Sequence, residues 1–236
     1  SSAVARRPQL TDSSAPSKRL FRLTRDQLDQ SVSALLPTYA PPSIKSAMAR
    51  DPLQTNYEYA ELLGFNAANF GALTGWIRAI AQQVKASPAA LIDCAASRNS
   101  QACLETQARR FIVQAFRGDA DAAKVGRLVH FFVAGAQSVG VAQAASELVE
   151  VVLSSPDFLF RKEIDVVGAG TAPGPLVKAS KGPEPGGGGL LAPAQLLQAL
   201  TYIVADAPPE KLGVGAADAR RHLQTGPDAR AAIQSI

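Results

Sequence analysis

Apolar residues recur at three- and four-residue intervals through most of this chain, and the runs are bounded by capping and stop signals, the pattern of amphipathic α-helices. The first run lies in FRLTRDQLDQSVSALLP, where Leu28, Val32 and Leu35 share a face. Thr24 and Gln27 have capping-box spacing ahead of it, and Pro37 ends it. A short helix is predicted from Ser43 as N-cap, carrying Ile44, Ala47 and Met48 up to the Asp51-Pro52 turn. Residues 56–86 present Tyr59, Leu62, Leu63, Phe70, Leu73, Ile77, Ile80 and Val84 on one face, interrupted by Gly64, Gly71 and Gly75. They read as one long helix or two with a kink.

Ser87-Pro88 predicts an N-cap followed by Pro at the first helical position, opening a short helix through Ile92 and Cys94. Residues 101–116 form a strong helix with Leu104, Ala108, Phe111, Ile112 and Ala115 inward and Gly118 as its stop. Two more helices are expected at 120–139 and 141–154, and Ser155-Pro156 starts a further turn. The composition then changes: residues 168–189 hold eight of the chain's 18 glycines and four prolines, the signature of a linker or long mobile loop. Beyond it, residues 190–205 are again amphipathic, with Leu196, Leu197, Leu200, Ile203 and Val204 spaced to share a face until Pro208-Pro209. One or two short polar helices complete the pattern.

The expectation is therefore an all-α protein, an irregular multi-helix bundle with a long Gly/Pro-rich loop. Four segments are read: a polar basic N-terminal arm (1–20), a main helical domain (21–165), a Gly/Pro-rich linker or loop (166–189) and a C-terminal helical segment (190–236). The last stops at Ile236 without a capping signal, as a truncated element would. A chain of 236 residues with 47% apolar content can bury a core without help from a metal or cofactor.

The net charge of +4 is unevenly placed. Residues 1–25 carry six basic groups against Asp12 alone, leaving 18 basic and 19 acidic residues for the rest. The body is thus near neutral, which argues against a specific nucleic-acid partner. Arg6, Arg7, Lys18 and Arg19 are candidates for peripheral contact with a membrane surface or an anionic polymer, against the plainer reading of a solvated tail. The longest uncharged run, residues 128–146, contains His130, Gln137, Ser138, Gly140 and Gln143, so a membrane span is not expected and the chain reads as soluble. A start at Ser1 is what removal of a secretory leader would leave.

Cys94 and Cys103 are nine positions apart. In one continuous helix they would sit about 13.5 Å apart along the axis, beyond the reach of a disulfide. If Arg98-Asn99-Ser100 turns the chain, a bridge becomes reasonable and implies an oxidising compartment. Two separate buried thiols are the alternative. Metal binding or redox catalysis is disfavoured by the lack of CxxC and of a nearby His.

Four segments, in order, resemble a family of large secreted bacterial proteins of unknown function. FRLTRDQLDQSVSALL is similar to the family's opening helix. Cys94 and Cys103 stand where the family has a cysteine pair around a helix turn. ARRFIVQAFRG resembles a helix ending Ala-Phe-Arg-Arg-Pro, and SSPDFLFR resembles Ser-Pro-x-Phe-Leu-Tyr-Arg. LLAPAQLLQALTYIVADAPPEKL resembles the helix pair that follows. The likeness runs over residues 22–212, fits poorly through the linker, and departs at Gly118-Asp119, where the family has Arg-Pro. The proteins resembled are the cytochrome-linked domain-of-unknown-function families 1587, 1595 and 1592 of planctomycete and myxobacterial type. The resemblance implies an extracytoplasmic place, in the periplasm or at the cell surface, and a link to electron transfer. The chain has no CxxCH, so no covalent haem site carries over.

The remaining chemical candidates are sparse. His130, in LVHFFVAG, reads as a core or interface residue, and His222 as exposed; two histidines are too few for a zinc site or a hydrolase triad. EIDVVGAGTAPG imitates a dinucleotide loop but has Pro173 where the third glycine is needed, and the four glycines 186–189 lack a following Gly-Lys-Ser/Thr. Glu58 with Glu61 and Glu147 with Glu150 are spaced to share helix faces, ordinarily solvated ones. Phe158, Phe160 and Arg161 are expected to pack a helix into the core, and are also the candidates for a partner surface. Tyr57, Tyr59 and Trp76 read as core. No catalytic, metal or cofactor-binding residue is assigned and no cofactor is implied. The reading is of an extracytoplasmic helical scaffold or interaction subunit that binds other protein subunits. The alternative is a component of an extracytoplasmic redox or enzyme system whose cofactor lies on another module or chain.

Overall fold

The computed structural model describes residues 19–51, 53–54, 57–58, 64–163, 166–167, 190–191 and 193–212. The expected all-α fold is what forms: seven α-helices among the described residues, with three pairs of very short antiparallel strands at their margins. Strand β1 is Arg19–Arg22, helix α1 Arg25–Leu35, β2 Leu53–Gln54 and β3 Tyr57–Glu58. Helices α2 Ala67–Ala86, α3 Gln101–Ala115, α4 Ala122–Val139 and α5 Val141–Leu153 form the bundle. The one-turn helix α6 Pro156–Leu159 runs into β4 Phe160–Glu163, and β5 Val166–Val167, β6 Leu190–Leu191 and α7 Pro193–Ala205 follow.

The capping box at α1 is complete: Gln27 N donates to Thr24 Oγ1 and Thr24 N to Gln27 Oε1, each at 3.1 Å. Ser43 caps a 3-10 turn at Ile44–Ser46, shorter than the helix expected there. The face predicted over residues 56–86 is cut back more severely. Asn66 accepts from Asn69 N and starts α2, while Tyr57–Glu58 pairs with Leu53–Gln54. Glu58 is therefore in a strand and does not share a helix face with Glu61, which lies outside the described residues, as does Tyr59. Pro88 opens only a 3-10 turn. Ser87 does not cap it with its side chain; its N–H closes the end of α2 instead.

One core runs through the bundle. Leu73, Ile77, Ile80 and Val84 of α2 face Ala145, Leu148, Val149 and Val152 of α5 in the same buried cluster, joined by Val129 and Phe132 of α4 and Ile112 of α3. Helices α4 and α5 turn on Gly140, whose φ of 85° and ψ of 158° suit glycine alone. They approach so closely that a Cβ built on Gly135 would lie 3.3 Å from that of Ala144. Trp76 is buried and donates from its indole to Pro42 O. His130 is exposed on the outer side of α4, not in the core: the helix buries its Val125, Val129, Phe132 and Val133 stripe and turns His130 and Phe131 outward. No helix among the described residues is long and apolar enough to cross a membrane.

The segment read as a basic arm through residue 20 includes the first two residues of β1, which pairs antiparallel with β4, Arg19 opposite Glu163 and Arg22 opposite Phe160. Arg6, Arg7 and Lys18 lie outside the described residues. At the other boundary, Val166–Val167 pairs with Leu190–Leu191, so the two ends of the Gly/Pro-rich segment are held side by side. The C-terminal segment is joined to the main domain: Tyr202 of α7 is 1% exposed within the common core.

Candidate functional site: a buried arginine junction

The turn after α3 gathers polar contacts from residues far apart in sequence. Ala115 is its last helical residue and Phe116 its cap, and both Arg117 (φ 56°) and Gly118 (φ 70°) are left-handed. Arg117 N donates to Gln114 O and Gly118 N to Val113 O, the paired bonds of a Schellman motif. The predicted stop at Gly118 is thus real, but the first left-handed position is filled by arginine. That conformation costs a non-glycine residue about 1–2 kcal/mol. The side chain it positions supplies the compensation.

Arg117 is buried, and its guanidinium donates from Nε to Tyr202 Oη at 2.6 Å, from Nη1 to Asp157 O at 3.1 Å and from Nη2 to Phe158 O at 2.8 Å. Both carbonyls belong to α6, whose four residues leave their C-terminal acceptors without helical donors, and the arginine caps them. The guanidinium carbon also sits 5.4 Å from the ring centroids of Phe158 and Tyr202. Tyr202 Oη lies 2.8 Å from Ser31 Oγ on α1, and Gln27 reaches Tyr202 O. Gln198 of α7 donates to Arg117 O at 3.4 Å. Elements distant in sequence, α1, α6, α7 and the turn after α3, therefore meet around the Arg117–Tyr202 pair.

A charged clamp adjoins the junction. Asp157 binds Lys124 through Oδ2 and Lys162 through Oδ1. Lys124 also donates to Ser155 Oγ at 2.8 Å, and Lys162 to Asp119 O at 3.2 Å. Gln195 Nε2 reaches Asp119 Oδ2 at 3.3 Å. Burial pushes the Asp157 carboxyl upward, but the hydrogen bonds and charges of Lys124 and Lys162 outweigh it and hold the group below the ordinary 3.8. A separate ion pair, Arg22 with Asp51, is fully buried and ties β1 to the segment before α2; Asp51 also accepts from Arg25 N at 2.7 Å.

The sequence-derived candidates fall around this junction unevenly. Residues 103–163 match the family model PSD5, described as a protein of unknown function (DUF1595). No curated protein and no solved structure matches the chain. The matched stretch runs from α3 to β4 and includes Arg117, Lys124, Asp157 and Lys162, while Tyr202 and Ser31 reach the junction from outside it. Within the match, the segments AFRG and SSPDFLFR, which carried the resemblance, are brought together by Arg117.

Phe158 and Arg161, candidates for a partner surface, lie inside the fold. Both are buried: Phe158 lies under Arg117, and the Arg161 guanidinium lies 4.9 Å from the ring centroid of Phe21. Phe160, partly buried, meets Phe65 edge-on at 5.9 Å between centroids. Cys94 and Cys103 are joined by a disulfide, with their Cα atoms 5.9 Å apart. Arg98 and Asn99, both left-handed, turn the chain between them. Glu147 accepts from Gln143 at 2.8 Å, and no group of three or more His, Cys, Asp or Glu suited to a metal occurs among the described residues. His222 lies outside them, as do the glycine runs of residues 168–189. Tyr202 and Arg117 were not singled out from the sequence as site residues. The capped turn at Ser155-Pro156 and the stop after Phe116 are the only local signals that point to where they meet.

Proposed function

We propose that this chain is a helical scaffold or interaction subunit of a larger extracytoplasmic assembly. The observation that carries the reading is the Arg117 junction. Its cation, both clamp lysines and the Asp157 carboxylate are each engaged with a partner from another element, as in a joint built to hold segments in register. The Cys94–Cys103 bridge supports the compartment, since disulfides persist where thiols are not kept reduced. The wider likeness to families 1587 and 1592, and the cytochrome link it suggests, belong to the same proposal.

The test is purification of the full-length protein from its native cells under non-denaturing conditions, with free thiols alkylated at lysis. The expected result is a bridged cysteine pair and co-elution with other subunits in fixed ratio, at a mass above that of one chain. A free thiol pair in the alkylated sample removes the compartment. Catalytic turnover by the isolated chain, or a stoichiometric Soret band on it, replaces the scaffold with the redox or enzyme reading.

A further inference from the structure

Beneath Arg117 lies a partly open cavity of about 60 Å3, bordered by Ser31, Ala34, Gln114, Arg117, Phe158 and Pro208. A water takes about 10–15 Å3 by this measure, so the space suits a few waters or one small ion. We propose that it binds a small monovalent anion of halide or formate size.

The guanidinium of Arg117 has no anionic partner among the described residues. A buried cation is ordinarily paired, because a lone charge is strongly disfavoured in a low-dielectric interior. Arg117 is buried and donates only to neutral acceptors, a phenol and two carbonyls; no carboxylate among the described residues pairs with it. Asp157, the nearest acid along its contacts, gives Arg117 its backbone oxygen, while its carboxylate is taken by Lys124 and Lys162.

Hydrogen-bond direction adds a second reason. Arg117 Nε–H can only donate, so Tyr202 Oη accepts from it. The arrangement that gives the Tyr202 proton a partner is donation to Ser31 Oγ, 2.8 Å away. Ser31 then accepts, and its own proton is left for the cavity that it borders. Three of the five guanidinium N–H groups are engaged, which leaves further donors on Arg117. The lining thus combines a buried positive charge, a hydroxyl donor and the Gln114 amide, with no acidic residue among its members. A chain of bonds running from a cation toward a free hydroxyl proton strengthens that donor.

The test follows thermal unfolding while sodium formate or sodium chloride replaces the salt of a bulky sulfonate at constant ionic strength. The expected result is a saturable rise in midpoint with either ion, and broadening of the chloride NMR line that formate reverses. Ala34→Leu fills the space from α1 while keeping the Arg117 side chain itself, and Ser31→Ala removes the hydroxyl donor. Each should weaken the apparent affinity at least tenfold while the protein stays folded. A rise that does not saturate, or one equally large in the wild type and in both variants, overturns the proposal.

Discussion

Arg117 and Tyr202, 85 residues apart, share a buried hydrogen bond of 2.6 Å that locks the end of α3 to α7. Tyr202→Phe keeps the ring but leaves Arg117 Nε and Ser31 short of a partner. It is expected to destabilise the fold by roughly 1–3 kcal/mol, read from urea unfolding. Ser31→Ala alone should cost less, since the Tyr202–Arg117 bond survives it. A double-mutant cycle between positions 117 and 202 should give a clearly non-zero coupling energy.

The glycines separate by backbone conformation. Gly140→Ala should destabilise by about 1–3 kcal/mol although its new Cβ meets nothing within 4 Å, because the penalty lies in φ and ψ. Gly75→Ala, exposed in the interior of α2 with equally open space, should stabilise by about 0.5–1 kcal/mol. Opposite shifts in melting temperature would confirm both.

Acid sensitivity should centre on Asp157. Its pKa is held below 3.8 in the folded protein, so its contribution is fully present above that value and is lost as pH falls through it toward the folded pKa. The urea midpoint of the wild type should fall from about pH 5 downward, and Asp157→Asn should flatten that fall while lowering stability at neutral pH.

The disulfide closes a loop of nine positions between a 3-10 turn and α3. Cys94→Ala with Cys103→Ala should lower stability by about 2.5–3 kcal/mol. Reductant should then change the melting temperature of the wild type but not that of the double variant.

Local rules made most of the bundle legible. Thr24 with Gln27, Ser155 with Pro156 and the stop after Phe116 each mark a boundary that needs only neighbours a few residues away. The start of α2 was missed because the apolar residues at 59–63 continue its period upstream, although Asn66 with Asn69 carries the capping signal. The junction itself was opaque for a different reason. Tyr202 sits between Leu200 and Ile203 in a helix that reads as ordinary amphipathic pattern, and its partners lie on α1 and α3. Likewise, RLFR and FRKE are too short to declare themselves strands alone; each becomes one only beside the other.

That last pairing has a mechanical side. Arg19 and Glu163 face each other at the end of the ladder from which the chain both arrives and leaves. Tension applied through the segments before Arg19 and after Glu163 would therefore peel β1 from β4 one bonded pair at a time, with no need to shear the ladder as a whole. Under load, this ribbon is the natural weak seam, and the helices behind it would yield only after it had opened as far as Arg22, whose buried pair with Asp51 forms the next latch.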